Sequence, residues 1–323
     1  MKSRWLYNDL RGKAGWKGSA SRPCRRIMLY HGVDLRGETK LNSRFLSKST
    51  LRKHFAFYAK ECKVISLESY FSQPLAGGKP EICLTFDDGY RNNFTEVLPL
   101  LEEFGFNATF FVAAAQPTGR EILWTDLLDL VALHHGRPFI WDGEKYYRNG
   151  RKSGEYISLR TAQPLKGIAK EASLAAILEL EKLLLERADF MQDAAWKPYW
   201  ELMNAEQLRE LAGHPLVELG VHGSSHCSLG SMPLPTAVGE LRDCKSWLET
   251  FVSEPIKALS WPSGSYSQEL VEAASQLGLK RQLAVDFLHP KDAEDSRQAA
   301  RLVVNPHISF LNQREAILKG SYL

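Results

Sequence analysis

The stretch Ile82-Cys83-Leu84-Thr85-Phe86-Asp87-Asp88-Gly89-Tyr90 decides how the rest of the chain is read. An uninterrupted apolar and β-branched run ends in two adjacent carboxylates and a glycine. Such a run, closed by a turn signal, predicts a buried strand, and Gly89 lets the backbone break sharply at its end. Successive strand side chains point to opposite sides, so Asp87 and Asp88 are expected to diverge, one free to hold a metal ion while the other faces its water. The plainer alternative is that the pair caps a helix starting near Arg91, where carboxylates favour the free amide groups.

Outward from this stretch the chain alternates strand and helix. Arg26 to Val33 reads as a strand with Tyr30 and His31 at its end, Ser49 to Glu61 as a helix, Lys63 to Leu67 as a strand, and Arg91 to Phe104 as a helix closed by Gly105. Asn107 to Ala113 is again strand. After residue 204 the order resumes with helix Glu206 to Ala212, strand Leu216 to Val221 ending in His222, helix Thr236 to Phe251, and strand Lys257 to Trp261 running into Pro262-Ser263-Gly264. Helix Gln268 to Leu277, strands Leu283 to Phe287 and Arg301 to Val304, and helix Gln313 to Leu318 complete the chain. About eight short strands with intervening helices predict an α/β fold, a distorted (β/α) barrel, with functional groups gathered at the C-terminal strand ends. His31, Asp87, Asp88, His222 and Ser263 all fall there.

Residues about 117–204 break this rhythm. Leu123 to His134 and Leu174 to Arg187 are amphipathic and helical, and Phe139 to Tyr147 reads as a hairpin around Asp142-Gly143. The segment is expected to be a helical insertion, either a lid or shelf for substrate or a structural cap. His134 and His135 sit at a helix end, where cations favour the dipole, and are discounted as ligands. Domain organisation is therefore a basic arm over residues 1–25 and one catalytic domain over 26–323.

The composition, 44% hydrophobic and 24% charged over 323 residues, is that of an ordinary globular protein. A formal net charge of +3 gives no argument for nucleic acid. Most of the basic excess lies in the arm (Lys2, Arg4, Arg11, Lys13, Lys17, Arg22, Arg25, Arg26), which could rest on a membrane surface or a lipid-linked glycan, or be merely solvated. No apolar stretch approaches the roughly 20 residues that cross a bilayer. The first 30 residues lack the apolar core and small-residue cleavage site of a secretory signal, so the expected location is the cytoplasm, with peripheral contact at the inner membrane face. The five cysteines are scattered without paired C-x-x-C spacing, so neither a disulfide framework nor a zinc knuckle is indicated.

His222-Gly223-Ser224-Ser225-His226 supplies an H-x-x-x-H spacing that can bring two imidazoles to one face of a helical turn. Two histidines and a carboxylate make a facial metal site that leaves positions open for water and substrate, suited to zinc or another divalent first-row ion. Together these residues resemble the polysaccharide deacetylase family, carbohydrate esterase family four, whose domain is called the NodB homology domain. Thr85 to Tyr90 matches its first motif in full. His222 to His226 matches its H-[ST]-x-x-H motif except at Gly223, which removes a side-chain hydrogen bond expected to steady that loop. Leu29 to Val33 and Asn107 to Val112 are also similar to family segments, and the likeness covers most of the chain outside the arm and the insertion.

The resemblance implies a NodB-type barrel, a divalent metal ion, most simply zinc, held by Asp88, His222 and His226, and Asp87 as general base. It implies a substrate that is an N-acetylated saccharide and a role in cell-surface glycan synthesis. Its R-x-P-[YF]-G segment, beside which a backbone NH serves the oxyanion, corresponds here to Ser260-Trp261-Pro262-Ser263-Gly264, with Trp261, Pro262, Ser263 and Gly264 placed at the substrate. Ser260 stands where many members have the arginine that orients the base, which would leave Asp87 less restrained. The family's last histidine, which protonates the leaving amine, has no clean counterpart. His307 is nearest by position, with His289 and His31 behind it, and the family's pocket-lining Asp-Trp motif is missing, with only Asp286 loosely placed. Two rival readings share the fold, a metal-free amide or imide hydrolase and a decayed glycan-binding protein. A glycosidase would need carboxylates about 5–9.5 Å apart across a bond, which adjacent aspartates with divergent side chains provide poorly. No G-x-S-x-G elbow supports a serine hydrolase.

Overall fold

A computed structural model describes residues 24–150 and 154–322. Apart from Cys24 and Arg25, the basic arm lies outside the described residues. The strands are β1 (Arg25–Tyr30), β2 (Val33–Asp34), β3 (Leu46–Ser47), β4 (Lys63–Ile65), β5 (Glu81–Phe86), β6 (Ala108–Val112), β7 (Phe139–Trp141), β8 (Glu144–Arg148), β9 (Tyr156–Ser158), β10 (Val217–Val221), β11 (Ala258–Ser260), β12 (Arg281–Ala284), β13 (Gln298–Ala300) and β14 (Leu302–Val303). Nine of them make one parallel sheet in the order β13-β12-β11-β10-β6-β5-β1-β14, with β4 alongside the first half of β5 and β6 alongside its second half. The sheet curls into a nearly closed barrel with helices around it. Between its two ends the chain passes directly from β13 to β14 through a single residue, Arg301.

Parallel strands covered on both faces read as unbroken apolar runs, and β5 and β6 are buried at every position. Alternate residues divide between two cores. Ile27, Cys83, Phe111, Ala258, Leu283 and Ala299 fill the barrel interior. Met28, Leu84, Phe110, Leu219 and Leu259 face the surrounding helices. Gly220 is required by packing, because a Cβ there would lie 2.4 Å from the Phe111 ring.

Several elements differ from the sequence reading. The strand expected over Leu283 to Phe287 is instead Arg281–Ala284, so Phe287 is exposed beyond its end, and Gln298–Ala300 is a further barrel strand before β14. The end of the run Lys63 to Leu67 turns into a short helix, Leu67–Ser72, whose N-cap is Ser66. The helix after Tyr90 carries a π turn over Asn93–Val97 before its α-helical part, Leu98–Phe104. Within residues 117–204 the expected hairpin is present as β7 and β8, with Asp142 and Gly143 both at positive φ in its two-residue turn, and β9 extends it into a three-stranded antiparallel sheet. This sheet and helices Trp124–His134 and Leu174–Leu185 share an apolar core that includes Trp124, Trp141, Tyr156 and Leu180. Cys227, from the barrel loop after β10, packs into the same core.

Candidate active site

The chain leaves β5 at Phe86, and Asp87 continues the ladder with its NH on the Tyr30 carbonyl at 3.0 Å. Asp88 then takes a positive φ of 79°, followed by Gly89 at 84°. The two carboxylates diverge because the backbone swings into the left-handed region, a conformation that aspartate tolerates better than most residues, and not through strand alternation alone. Among the described residues neither carboxylate caps the helix at Arg91. Their hydrogen bonds go to arginines and a serine instead.

Asp87 is held from inside the barrel. Arg301 grips it with both guanidinium arms, Nη1 to Oδ1 and Nη2 to Oδ2, each at 2.7 Å. The Ser260 hydroxyl donates to Asp87 Oδ2 at 3.0 Å and accepts from Arg301 Nη2 at 2.6 Å. The arginine side chain is fully buried, with its guanidinium over the Phe111 ring. Burial opposes ionisation of Asp87, and Arg301 overrides it, leaving the carboxyl below its usual range. The expectation that Ser260 leaves the base loosely held is therefore corrected. The guanidinium arrives from the barrel seam, and the small serine makes room for it.

Asp88 faces the other way. Its Oδ1 lies 3.3 Å from His222 Nε2 and 3.0 Å from His226 Nε2, yet among the described residues it accepts no hydrogen bond. Its Oδ2 accepts from Arg44 Nη1 at 3.0 Å. The His222 ring is oriented by its Nδ1, 2.8 Å from the Ser260 carbonyl, which fixes the proton there and turns the Nε2 lone pair toward Asp88. Three buried ligand atoms from Asp88, His222 and His226 thus lie within 4.8 Å of one another. An orphaned carboxylate oxygen between two imidazole nitrogens fits a divalent cation of borderline softness.

The two histidines are not on a helical turn. Residues 222–226 form a loop with Gly223 at φ 71° and His226 at φ 55°. Its brace is Glu240, on the helix Leu234–Leu248. One carboxylate oxygen of Glu240 accepts from the amides of Ser224 (3.0 Å) and Ser225 (2.7 Å) and from the Ser225 hydroxyl (2.8 Å). This replaces the bond that Gly223 cannot make. Glu240→Ala is expected to cost about 2 kcal/mol in a denaturant titration, because three donors lose a charged acceptor at a half-exposed site, with Glu240→Gln intermediate.

The remaining sequence candidates separate. His307 is exposed on the loop after β14, where its amide donates to Asn305 Oδ1. Among the described residues its ring makes no hydrogen bond or ring contact with the cluster. His31 lies beside the cluster instead: β1 and β5 pair Tyr30 with Phe86, so the next residues are His31 and Asp87. Burial pulls the His31 imidazole down to about 4, with Asp88 and Asp87 pulling it up and Arg44 and Arg301 down. Asn93, in the π turn, donates to the His31 carbonyl at 3.0 Å. His289 packs edge-on against Tyr266. Trp261 is buried and stacked on Tyr266, Pro262 and Gly264 are buried, and Ser263 is exposed with φ 56°.

Fold and site define a class, a parallel α/β barrel carrying an arginine-held carboxylate beside a second carboxylate and two imidazoles at the C-terminal strand ends. The polysaccharide deacetylase family profile matches residues 75–158 and 180–281, more than half of the chain, and the chain belongs to that family, as a carbohydrate deacetylase among the hydrolases. Solved structures share the fold at low identity. The deacetylase PplD of Streptococcus pyogenes, solved in complex with acetate, superposes with a TM-score of 0.52 at 13% identity, covering 91% of this chain and 97% of its own. A de-N-acetylase from Aggregatibacter actinomycetemcomitans gives 0.54 at 14%, covering 93% and 99%. IcaB from Ammonifex degensii gives 0.54 at 14%, covering 93% and 97%. No curated protein sequence matches the chain.

Proposed function

We propose that this chain removes N-acetyl groups from an amino-sugar glycan or saccharide precursor of cell-surface polysaccharide, using a divalent metal ion held by Asp88, His222 and His226. The observation that carries the reading is the pairing of an arginine-clamped Asp87 with three convergent ligand atoms, all buried at one end of the barrel. When bound, a divalent ion such as zinc supplies Lewis acidity, bringing the pKa of a coordinated water to about 7 and polarising the acetamide oxygen. Asp87 takes the proton from the attacking water while Arg301 and Ser260 keep its carboxylate aimed. The new C–O bond forms at the acetyl carbon, and the C–N bond then breaks to give acetate and the free amine. We assign His31, rather than His307, to return the proton to the departing nitrogen. An imidazolium with a pKa near 4, formed by transfer from Asp87, gives up its proton readily.

Bound metal per chain tests the reading, by elemental analysis of the parent and its His222→Ala variant after identical chelation and reloading, alongside acetate release from N-acetylglucosamine oligomers. The expected result is about one equivalent in the parent and far less in the variant, with acetate release lost on chelation and restored on reloading. Negligible metal in both proteins would sink the metal assignment. Full activity of the chelated parent would favour the metal-free hydrolase.

A further inference from the structure

Arg44 lies in neither of the sequence motifs that form the site, yet it joins the proposed metal ligand to the insertion. Its Nη1 donates to Asp88 Oδ2 at 3.0 Å, and its Nη2 donates to the Tyr90 hydroxyl at 2.7 Å and to Asp126 Oδ1. Asp126 lies in the first turn of helix Trp124–His134 and is buried. Tyr90 donates to its other oxygen at 2.6 Å, and Asn42 Nδ2 to Oδ1 at 3.1 Å. Two residues earlier in the same turn, Trp124 Nε1 donates to the carbonyl of His226 at 3.1 Å. The same turn of the insertion therefore touches the supports of two of the three ligand residues.

We propose that Arg44 and Asp126 are positioning residues for the metal centre, and that the insertion is part of the site's frame through them. The inference rests on the metal reading given above. Arg44 occupies Asp88 Oδ2, so Asp88 has only Oδ1 to offer and is fixed as a one-oxygen ligand facing His222 and His226. A free carboxylate on a turn with positive φ could rotate and chelate through both oxygens.

The charge balance explains why a cation can be placed there. An isolated guanidinium so near a metal ion would repel it. Asp126 sits directly on the guanidinium, so the pair adds little net charge and its orienting effect remains. Two consequences distinguish this from a merely structural network. Neutralising Asp126 should weaken metal binding even though Asp126 touches no ligand atom, because Arg44 then becomes an uncompensated cation beside Asp88. Replacing Arg44 by lysine should keep the charge but lose the two-armed fork, so its affinity falls between that of the parent and Arg44→Ala.

The test is the zinc dissociation constant of the full chain, measured by competition with a chromophoric chelator, for the parent, Arg44→Ala, Arg44→Lys and Asp126→Asn. Thermal melting of each metal-free protein keeps loss of folding apart from loss of binding. The d–d spectrum of the cobalt-loaded proteins reports coordination number independently of activity. The inference predicts a loss of zinc affinity of about 10–100-fold in Arg44→Ala and Asp126→Asn, the range found for second-layer partners of metal ligands. It also predicts a cobalt spectrum altered toward higher coordination in Arg44→Ala. Should Arg44→Ala fail to fold, Arg44→Lys and Asp126→Asn carry the comparison. A parent that binds zinc while all folded variants bind it within twofold of the parent, with unchanged cobalt spectra, overturns this inference and leaves the metal centre standing. A parent that binds no metal overturns both.

Discussion

The Asp87→Asn protein is expected to bind its metal at near-parent stoichiometry and to lose acetate release by about 10²–10⁴-fold, the usual contribution of a positioned general base. The ligand atoms come from Asp88, His222 and His226, whereas both Asp87 oxygens are taken up by Arg301 and Ser260. An amide keeps the volume and one acceptor for the Arg301 fork but cannot take a proton from water. It also leaves the guanidinium short of a counter-charge, so thermal melting must accompany the kinetics, and kcat is compared at a temperature where both proteins are folded. Asp88→Asn gives the complementary result, with metal content and activity lost together. Activity of Asp87→Asn within tenfold of the parent would remove Asp87 as base.

What could be read from the sequence divides by range. The strand ending in Asp87-Asp88 and the site at the C-terminal strand ends follow from short patterns whose chemistry is local, and the joining of Asp88 to His222 and His226 is what the family resemblance implies. The supports are not local. Arg301 meets Asp87 only because β14 lies beside β1 and the chain crosses the barrel seam at that residue. A signal was nevertheless present, since an arginine inside the apolar run Ala299-Ala300-Arg301-Leu302-Val303 must find a counter-charge if that run is buried. Family order points to His307, late in the chain, for the last histidine, whereas the parallel register of β1 and β5 sets His31 beside Asp87. The H-x-x-x-H helical turn failed on backbone grounds, with Gly223 and His226 both at positive φ and Glu240, some 15 residues away, bracing the loop. Arg44 left no sequence signal, because its partners Tyr90 and Asp126 come from two separate elements.

Removal of Arg301 carries the largest expected cost to stability. Arg301→Met keeps most of the side-chain length over the Phe111 ring but leaves the Asp87 carboxylate buried, 4% exposed at its side chain, with Ser260 as its remaining close donor. Breaking one half of a buried, hydrogen-bonded ion pair costs about 3–5 kcal/mol, a fall in melting temperature on the order of 10 °C. Arg301→Lys restores the charge without the fork and should recover part of this. The double variant Asp87→Asn/Arg301→Met decides what the cost represents. If the single variant suffers because a carboxylate is stranded, then adding Asn at position 87 removes the stranded charge, and the double variant is more stable than Arg301→Met alone, with a coupling of at least about 1 kcal/mol in a double-mutant cycle. If Arg301 stabilises mainly by packing at the seam, the two losses add. Additivity, or an Arg301→Met protein as stable as the parent, would mean that Asp87 does not bear a buried charge in the folded protein. A carboxyl that keeps its proton cannot accept one from water, so the same result would also withdraw the base from the proposed reaction.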